Sequence, residues 1–260
     1  MADATNSPLS HVLLEWTFMP PSALVGHSPP RCSGYELTFA EGTVQAHIEV
    51  DQWTKEPAIQ ERIQVELEGV LFALGMMRQA VISLAEPSLT EVCSDGRRIM
   101  YAEMHSTVII SDHVEWRLVD ADGNVVRDSL QERRDRERAL MERVGPHARD
   151  PILRKMLLAY RAAQLDGANE LIHLYEIIET LAARFKGDHK ARRILKVIDA
   201  DWSSLGRFAN NEPVREGRHR GKTIGELRSA AAEELNECRR VAQVLIDAYL
   251  NYLGGAGASG

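Results

Sequence analysis

The sequence predicts an α+β protein, with an N-terminal, mainly antiparallel β domain followed by a C-terminal all-α helical bundle. Three observations carry this reading. Turn dipeptides recur through the first half between short apolar segments, at Glu41-Gly42, Asp95-Gly96 and Asp122-Gly123. The second half replaces them with apolar residues at helical spacing, bounded by Pro, Gly and Asp. Charge divides in the same place: residues 1–130 hold 8 Lys+Arg against 19 Asp+Glu, whereas the remainder holds 23 against 19. With 260 residues and 44% hydrophobic content, two cores can be filled. The expected division is a recognition or docking β domain over 1–130, a charged linker helix over 131–149, a helical bundle over 150–253 and a flexible tail over 254–260.

In the first half, from Val12 to about Val126, the chain reads mostly as short strands. Tyr35 to Phe39 and Val44 to Val50 flank Glu41-Gly42; Leu89 to Val92 and Ile99 to Ala102 flank Asp95-Gly96. In His113 to Leu118 every second residue is apolar, placing Val114, Trp116 and Leu118 on one strand face before the Asp122-Gly123 turn. Val70 to Leu84 is apolar at nearly every position, so its period does not separate strand from helix. His27, His47, His105 and His113 have neither metal-ligand spacing nor a neighbouring nucleophile and read as surface or strand-face residues. Pro20-Pro21 and Pro29-Pro30 punctuate loops.

The second half opens on Gln131 to Val144, whose interleaved charges fit a solvated helix ended by Gly145-Pro146. Asp150-Pro151 is a helix start, because aspartate caps free N–H groups and proline fits the first turn; that helix should run to about Gln164 and break at Asp166-Gly167. Asn169 to Phe185 is apolar around most of its circumference and is expected to be the central helix. Gly187 stops it, and Asp188 opens a successor that carries Ile194, Leu195, Val197, Ile198, Trp202, Leu205 and Phe208. Thr223 and Glu226 have capping-box spacing ahead of a stripe formed by Leu227, Ala231, Leu235, Cys238, Ala242, Leu245, Tyr249 and Tyr252. The length of that stripe suggests a helix from a second subunit, hence a homodimer.

Cys32, Cys93 and Cys238 are far apart and outside any C-x-x-C pattern, which supports neither a disulfide framework nor a zinc cluster. No metal and no cofactor is expected. The start lacks a basic region followed by an apolar run, and no segment offers ~18 uninterrupted apolar residues, so the expectation is a cytoplasmic protein with no membrane partner.

Chemistry concentrates between Leu205 and Lys222, where Arg207, Arg215, Arg218, Arg220 and Lys222 surround His219 beside Asn210 and Asn211. Guanidinium forks match phosphate oxygens, and an imidazole moves a proton near neutral pH. Residues 184–222 hold 11 Lys+Arg against 5 Asp+Glu, a local basic face on an acidic chain that an RNA backbone or a nucleotide phosphate would meet. Two other readings stand beside this one: a solvated or structural loop, with Arg218 and Arg220 paired to Glu212, Glu216 or carboxylates of the acidic half, and docking of the acidic half onto the basic one.

Arg207-Phe208-Ala209-Asn210 and Arg218-His219, with Trp202 upstream and a long last helix after them, resemble the HEPN family. The resemblance covers roughly residues 150–253, and the β-rich half before it looks like an Apea-like HEPN arrangement. It implies a four-helix unit that dimerises and, in active members, a metal-independent endoribonuclease. Arg207 and Arg218 would then clamp phosphate, His219 would transfer the proton and Asn210 would orient histidine or ribose, while the RNA 2′-hydroxyl attacks phosphorus to leave a cyclic phosphate. This chain departs from the family spacing: eleven residues separate Arg207 from His219 and three separate Arg215 from His219, whereas Arg184 to His189 has the family's four but lies one helical connection earlier. A non-catalytic binder of RNA, nucleotide or protein, with a protein partner at the β domain, is the main alternative. The family also suggests a role in prokaryotic defence or stress response.

Overall fold

The computed structural model describes residues 7–30, 32–101, 117–119, 125–218, 220 and 225–256. It is a mixed α+β chain, an antiparallel sheet followed by a helical region. Its contacts divide it into two compact units. Unit 1 comprises 1–71 with 82–142, and unit 2 comprises 72–81 with 143–260.

Unit 1 is built on β1 (Leu9–Met19), the longest strand. With β2 (Glu36–Ala40), β3 (Thr43–Glu49), β5 (Ser88–Cys93) and β6 (Arg98–Tyr101) it forms a sheet of order β2-β3-β1-β5-β6, and β4 (Ser83–Leu84) pairs with the far end of β1. All of these pairings are antiparallel. Two of the three expected turns close hairpins of this sheet, at Glu41-Gly42 and Asp95-Gly96. Alternation along β1 buries Val12, Leu14, Trp16 and Phe18; the first three face Ile48, Ala46 and Val44 across the β3 register, and Phe18 pairs with Leu84 of β4. The opposite face carries His11, Leu13, Glu15, Gln45, His47 and Glu49, with the His11 and His47 rings 4.3 Å apart.

The expectation of a strand-dominated first half is corrected by two helices, α1 (Val50–Lys55) and α2 (Ile59–Arg78). Ile59, Ile63, Leu67, Val70, Leu71 and Leu74 step by four and three, and all are buried. The period was hidden because residues 70–76 are almost uniformly apolar. The first turns of α2 cover the sheet, where the Trp16 indole N–H donates to Gln64 Oε1 and the Tyr35 hydroxyl donates to Glu66 at 2.5 Å. A short ribbon of β7 (Arg117–Val119) and β8 (Val125–Asp128) follows; the expected turn at Asp122-Gly123 and residues 113–116 lie outside the described residues.

Asp128 caps α3 (Ser129–Val144), accepting from the Leu130 and Gln131 N–H groups at 3.0 and 3.1 Å. This charged helix is less solvated than its composition predicts. Leu140, Met141 and Val144 are buried, and so is Glu137, which pairs with His27 Nε2 at 2.9 Å. His27 is therefore an interior residue, a correction to its surface reading; His47 does lie on a strand face, and His105 and His113 fall outside the described residues.

Unit 2 opens with α4 (Pro151–Leu165), capped as the sequence predicts: Asp150 Oδ1 accepts from the Ile152 and Leu153 N–H groups at 3.0 and 2.8 Å. The central helix is α5 (Glu170–Phe185), packed against α4, α6 (Asp188–Leu195), α7 (Asp199–Asn210) and α8 (Ala232–Ala256). The single helix expected after Gly187 is two. Lys196 adopts a left-handed conformation at φ 55° that ends α6, and Ile198 starts α7 in extended conformation, with its side chain exposed. The last helix begins at Ala232 rather than near Thr223, which lies outside the described residues. Glu234 reaches back to the Ala231 N–H at 2.8 Å, the return half of a capping box.

Cys238, Val241, Ala242, Leu245, Ile246, Tyr249 and Leu250 of α8 are buried within the single chain. Of the expected stripe, Cys238, Ala242, Leu245 and Tyr249 are thus covered within the single chain, while Leu227, Leu235 and Tyr252 are half-buried and Ala231 is exposed. Buried Glu170 at the start of α5 takes a two-pronged bond from Arg239 of α8. Residues 72–81 join the same unit, where Gln164 and Gln243 donate to the Gly75 and Met76 carbonyls at 3.1 and 2.9 Å and Arg161 lies over the Phe72 ring. Among the described residues, no helix is long and apolar enough to cross a membrane.

Candidate functional site

The arginine-rich loop begins where α7 ends. The Asn211 N–H closes the last turn on the Arg207 carbonyl at 2.8 Å, and the chain then folds back along the helix end. Buried Val214 anchors the return. Gly217 packs so closely that a Cβ there would stand 3.2 Å from the Ala209 carbonyl oxygen and from Val214 Cγ2. The Arg218 N–H donates to that same Ala209 oxygen at 2.8 Å. A second strap runs to the segment before α8: Arg215 N–H donates to the Arg228 carbonyl at 2.9 Å, Arg228 N–H to that of Pro213 at 3.1 Å, and Ala230 N–H to Glu216 Oε2 at 3.0 Å. Backbone groups that a solvated loop would leave to water are thus satisfied internally.

The cations divide into two kinds. Arg215 Nε donates to the Leu227 carbonyl at 3.1 Å. Arg220 donates to the Gly217 and Ala168 carbonyls at 2.9 and 2.8 Å and to Asn169 Oδ1. Both brace the fold. Arg207 and Arg218 instead lie on aromatic rings, Arg207 over Phe208 at 4.5 Å and Arg218 over Tyr175 at 4.8 Å. Arg218 also pairs with Glu179 of α5 at 2.7 Å, while the Arg207 side chain is 58% exposed, with Glu212 at 4.0 Å.

Around the C-terminal end of α7 the fold therefore gathers Arg207, Asn210 and Arg218, the last through its bond to Ala209. Asn210 Oδ1 is buried there with no hydrogen-bond partner among the described residues. His219 and Lys222 lie outside the described residues. Arg218 and Arg220 are paired, but with Glu179 and with Asn169 and Ala168 rather than with Glu212 or Glu216. Loop cations at the carbonyl end of α7 also sit favourably at the negative pole of its dipole.

A second cationic site was not singled out in the sequence. His189, Arg192, Arg193 and Lys196 line a cleft of about 370 Å³ together with Val197 and Asp199. The signal for it is the spacing of His189, Arg192 and Arg193, which places them on one face of α6, with Lys196 following at the helix end. Arg184 and His189, at the family's four-residue spacing, fall in the last turn of α5 and the first turn of α6.

All three cysteines are thiols. Burial pushes the Cys32 thiol up and that of Cys238 to about 12, the opposite of an activated nucleophile. Among the described residues, no group of three or more His, Cys, Asp or Glu is placed to hold a metal ion. No family model, no curated protein and no solved structure matches this chain.

Proposed function

We propose that the helical unit is a HEPN-like module that binds single-stranded RNA or a nucleotide phosphate through the α7 end and its loop, without cutting it. The observation that carries this is the pair Arg207 and Arg218. Each guanidinium has one face laid on an aromatic ring, and the loop beneath is held by its own backbone bonds. A planar cation fixed in this way offers its open face to an unstacked base and its edge to phosphate oxygens, directly at exposed Arg207 and in exchange for the Glu179 pair at Arg218. Pre-organisation also lowers the entropy lost on binding.

Binding is preferred to cleavage because the other loop arginines are engaged with carbonyls, and because Asn210, the residue assigned to orient histidine or ribose, has its amide oxygen buried. Those same bonds favour a second reading, in which the loop is purely a structural brace. A homodimer and a role in prokaryotic defence or stress response belong to the proposal through the family resemblance, and a cytoplasmic setting and a protein partner for the sheet unit through the sequence reading alone.

The experiment is titration of labelled single-stranded RNA at several salt concentrations. Affinity should fall steeply with salt as counterions are released, and Arg207→Ala/Arg218→Ala should weaken binding at least tenfold and flatten the slope by about 2, one unit per lost phosphate contact. His219→Ala should leave binding intact. RNA cleavage by the wild type that disappears in His219→Ala would replace the binder with the ribonuclease, and unchanged affinity in the double arginine variant would leave the brace.

A further inference from the structure

We infer that the cleft beside α6 is a separate binding site for a terminal phosphomonoester, of the kind carried by a 5′-nucleotide or by the 5′ end of an RNA. Its wall is one face of α6 continued by Lys196, the residue that ends the helix. His189, Arg192, Arg193 and Lys196 recur at three- and four-residue steps, while Ala191 and Leu195 on the other face are buried, so packing fixes which way the cations point.

The charge of the cleft selects the ligand. Arg192, Arg193 and Lys196 against Asp199 leave two positive charges with His189 neutral. A phosphomonoester carries about −1.5 to −2 at neutral pH, whereas each internal phosphodiester of a nucleic acid carries one. Asp199 holds the Arg192 guanidinium through an ion pair at 2.5 Å. Arg193 and Lys196 are exposed and have no hydrogen-bond or ion-pair partner among the described residues, so they can close on an incoming anion. Asp199 also opens the twelve-residue α7, whose cap residue Ile198 makes no side-chain cap bond, so the first-turn N–H groups beside the cleft are not taken by a capping side chain. A volume of about 370 Å³ is at the lower end of small-molecule sites, room for a phosphate and its sugar, with Val197 as an apolar wall.

Cations in the last turn of a helix also offset its dipole. That accounts for Arg192 and Arg193. It accounts equally for Lys196 at the helix end, and does not account for His189 in the first turn sharing the same wall.

The test uses the full chain and reads the amide resonances of residues 189–199 by NMR while AMP or adenosine is added. AMP should shift them at concentrations where adenosine does not. Arg193→Ala/Lys196→Ala should weaken AMP binding at least tenfold, and Asp199→Asn, which removes the competing anion, should strengthen it several-fold. A parallel titration compares 5′-phosphorylated with 5′-hydroxyl RNA of one sequence. A preference for the phosphorylated end identifies an RNA terminus as the ligand, and AMP binding without that preference identifies a free nucleotide. Equal response to AMP and adenosine, or weaker AMP binding in Asp199→Asn, overturns the inference. The AMP arm is separable from the α7 loop: AMP binding that is unchanged in Arg207→Ala/Arg218→Ala leaves this site standing whatever becomes of the proposed function, and AMP binding lost in that variant but kept in Arg193→Ala/Lys196→Ala overturns it.

Discussion

Glu234 shows how one side chain can define a helix start that composition does not reveal. It accepts from Arg228 at 2.6 and 2.8 Å and from the Ala231 N–H, and these bonds hold its carboxyl below the usual value of 4.5. A carboxylate with a lowered folded-state pKa adds stability that is fully present above its unfolded value and is lost as pH falls through the folded one. Glu234→Gln should therefore lower the urea midpoint at pH 7 by an amount equivalent to less than about 1 kcal/mol, the size of a cap, and the two proteins should converge as pH falls through the lowered folded-state value. Lys186 ends α5 at φ 60°, a region where a side chain crowds its own backbone. Lys186→Gly should raise stability by up to about 1 kcal/mol, read as a higher thermal midpoint. The loop arginines were legible as a cluster, since residue type and density are sequence properties. Which of them brace the fold was not, because Arg220 reaches Ala168, distant in the chain.

At the scale of elements, the strands and helices with chemical punctuation were read correctly. Asp150-Pro151 starts α4, Asp166 follows its last residue and Gly187 follows α5, because caps and backbone-restricted residues act over one turn. The errors fall where punctuation is absent or misleading. Nothing in KVID marks the break between α6 and α7, which depends on Lys196 taking a left-handed conformation that its side chain disfavours. Thr223 and Glu226 match a cap by spacing, but the segment after them is held by Pro213 and Glu216, so α8 starts at Ala232 instead. The cationic face of α6 follows from the same break. Arg192 and Arg193 belong to a short helix, and Lys196 ends it, where it borders the start of the next.

For the whole molecule, the division into compact units has a direct consequence for fragments. Residues 72–81 belong with the C-terminal helices and contribute buried Phe72, Ala73, Leu74 and Met76 to that unit. They also supply the carbonyls that Gln164 and Gln243 use. A fragment spanning 143–260 should consequently be several kcal/mol less stable than the same helices in the full chain, the scale of deleting more than one large buried side chain. Addition of a peptide containing residues 72–81 should restore part of its helicity and thermal midpoint. Equal stability of the fragment with and without the peptide would show that these residues are dispensable to the unit.

The sequence by itself determined the fold class, both described hairpins, the central helix and the place where cationic chemistry concentrates. These depend on turn chemistry, on apolar period and on local charge, each of which acts within a few residues. Tertiary structure decided the rest: that residues 70–78 are helical, that His27 is buried against Glu137, that α8 is covered within its own chain, and that the loop arginines divide into braces and shelved cations. Each of those outcomes depends on a partner far along the chain, such as Glu137 for His27 or Tyr175 for Arg218, and local pattern carries no information about which distant group will arrive.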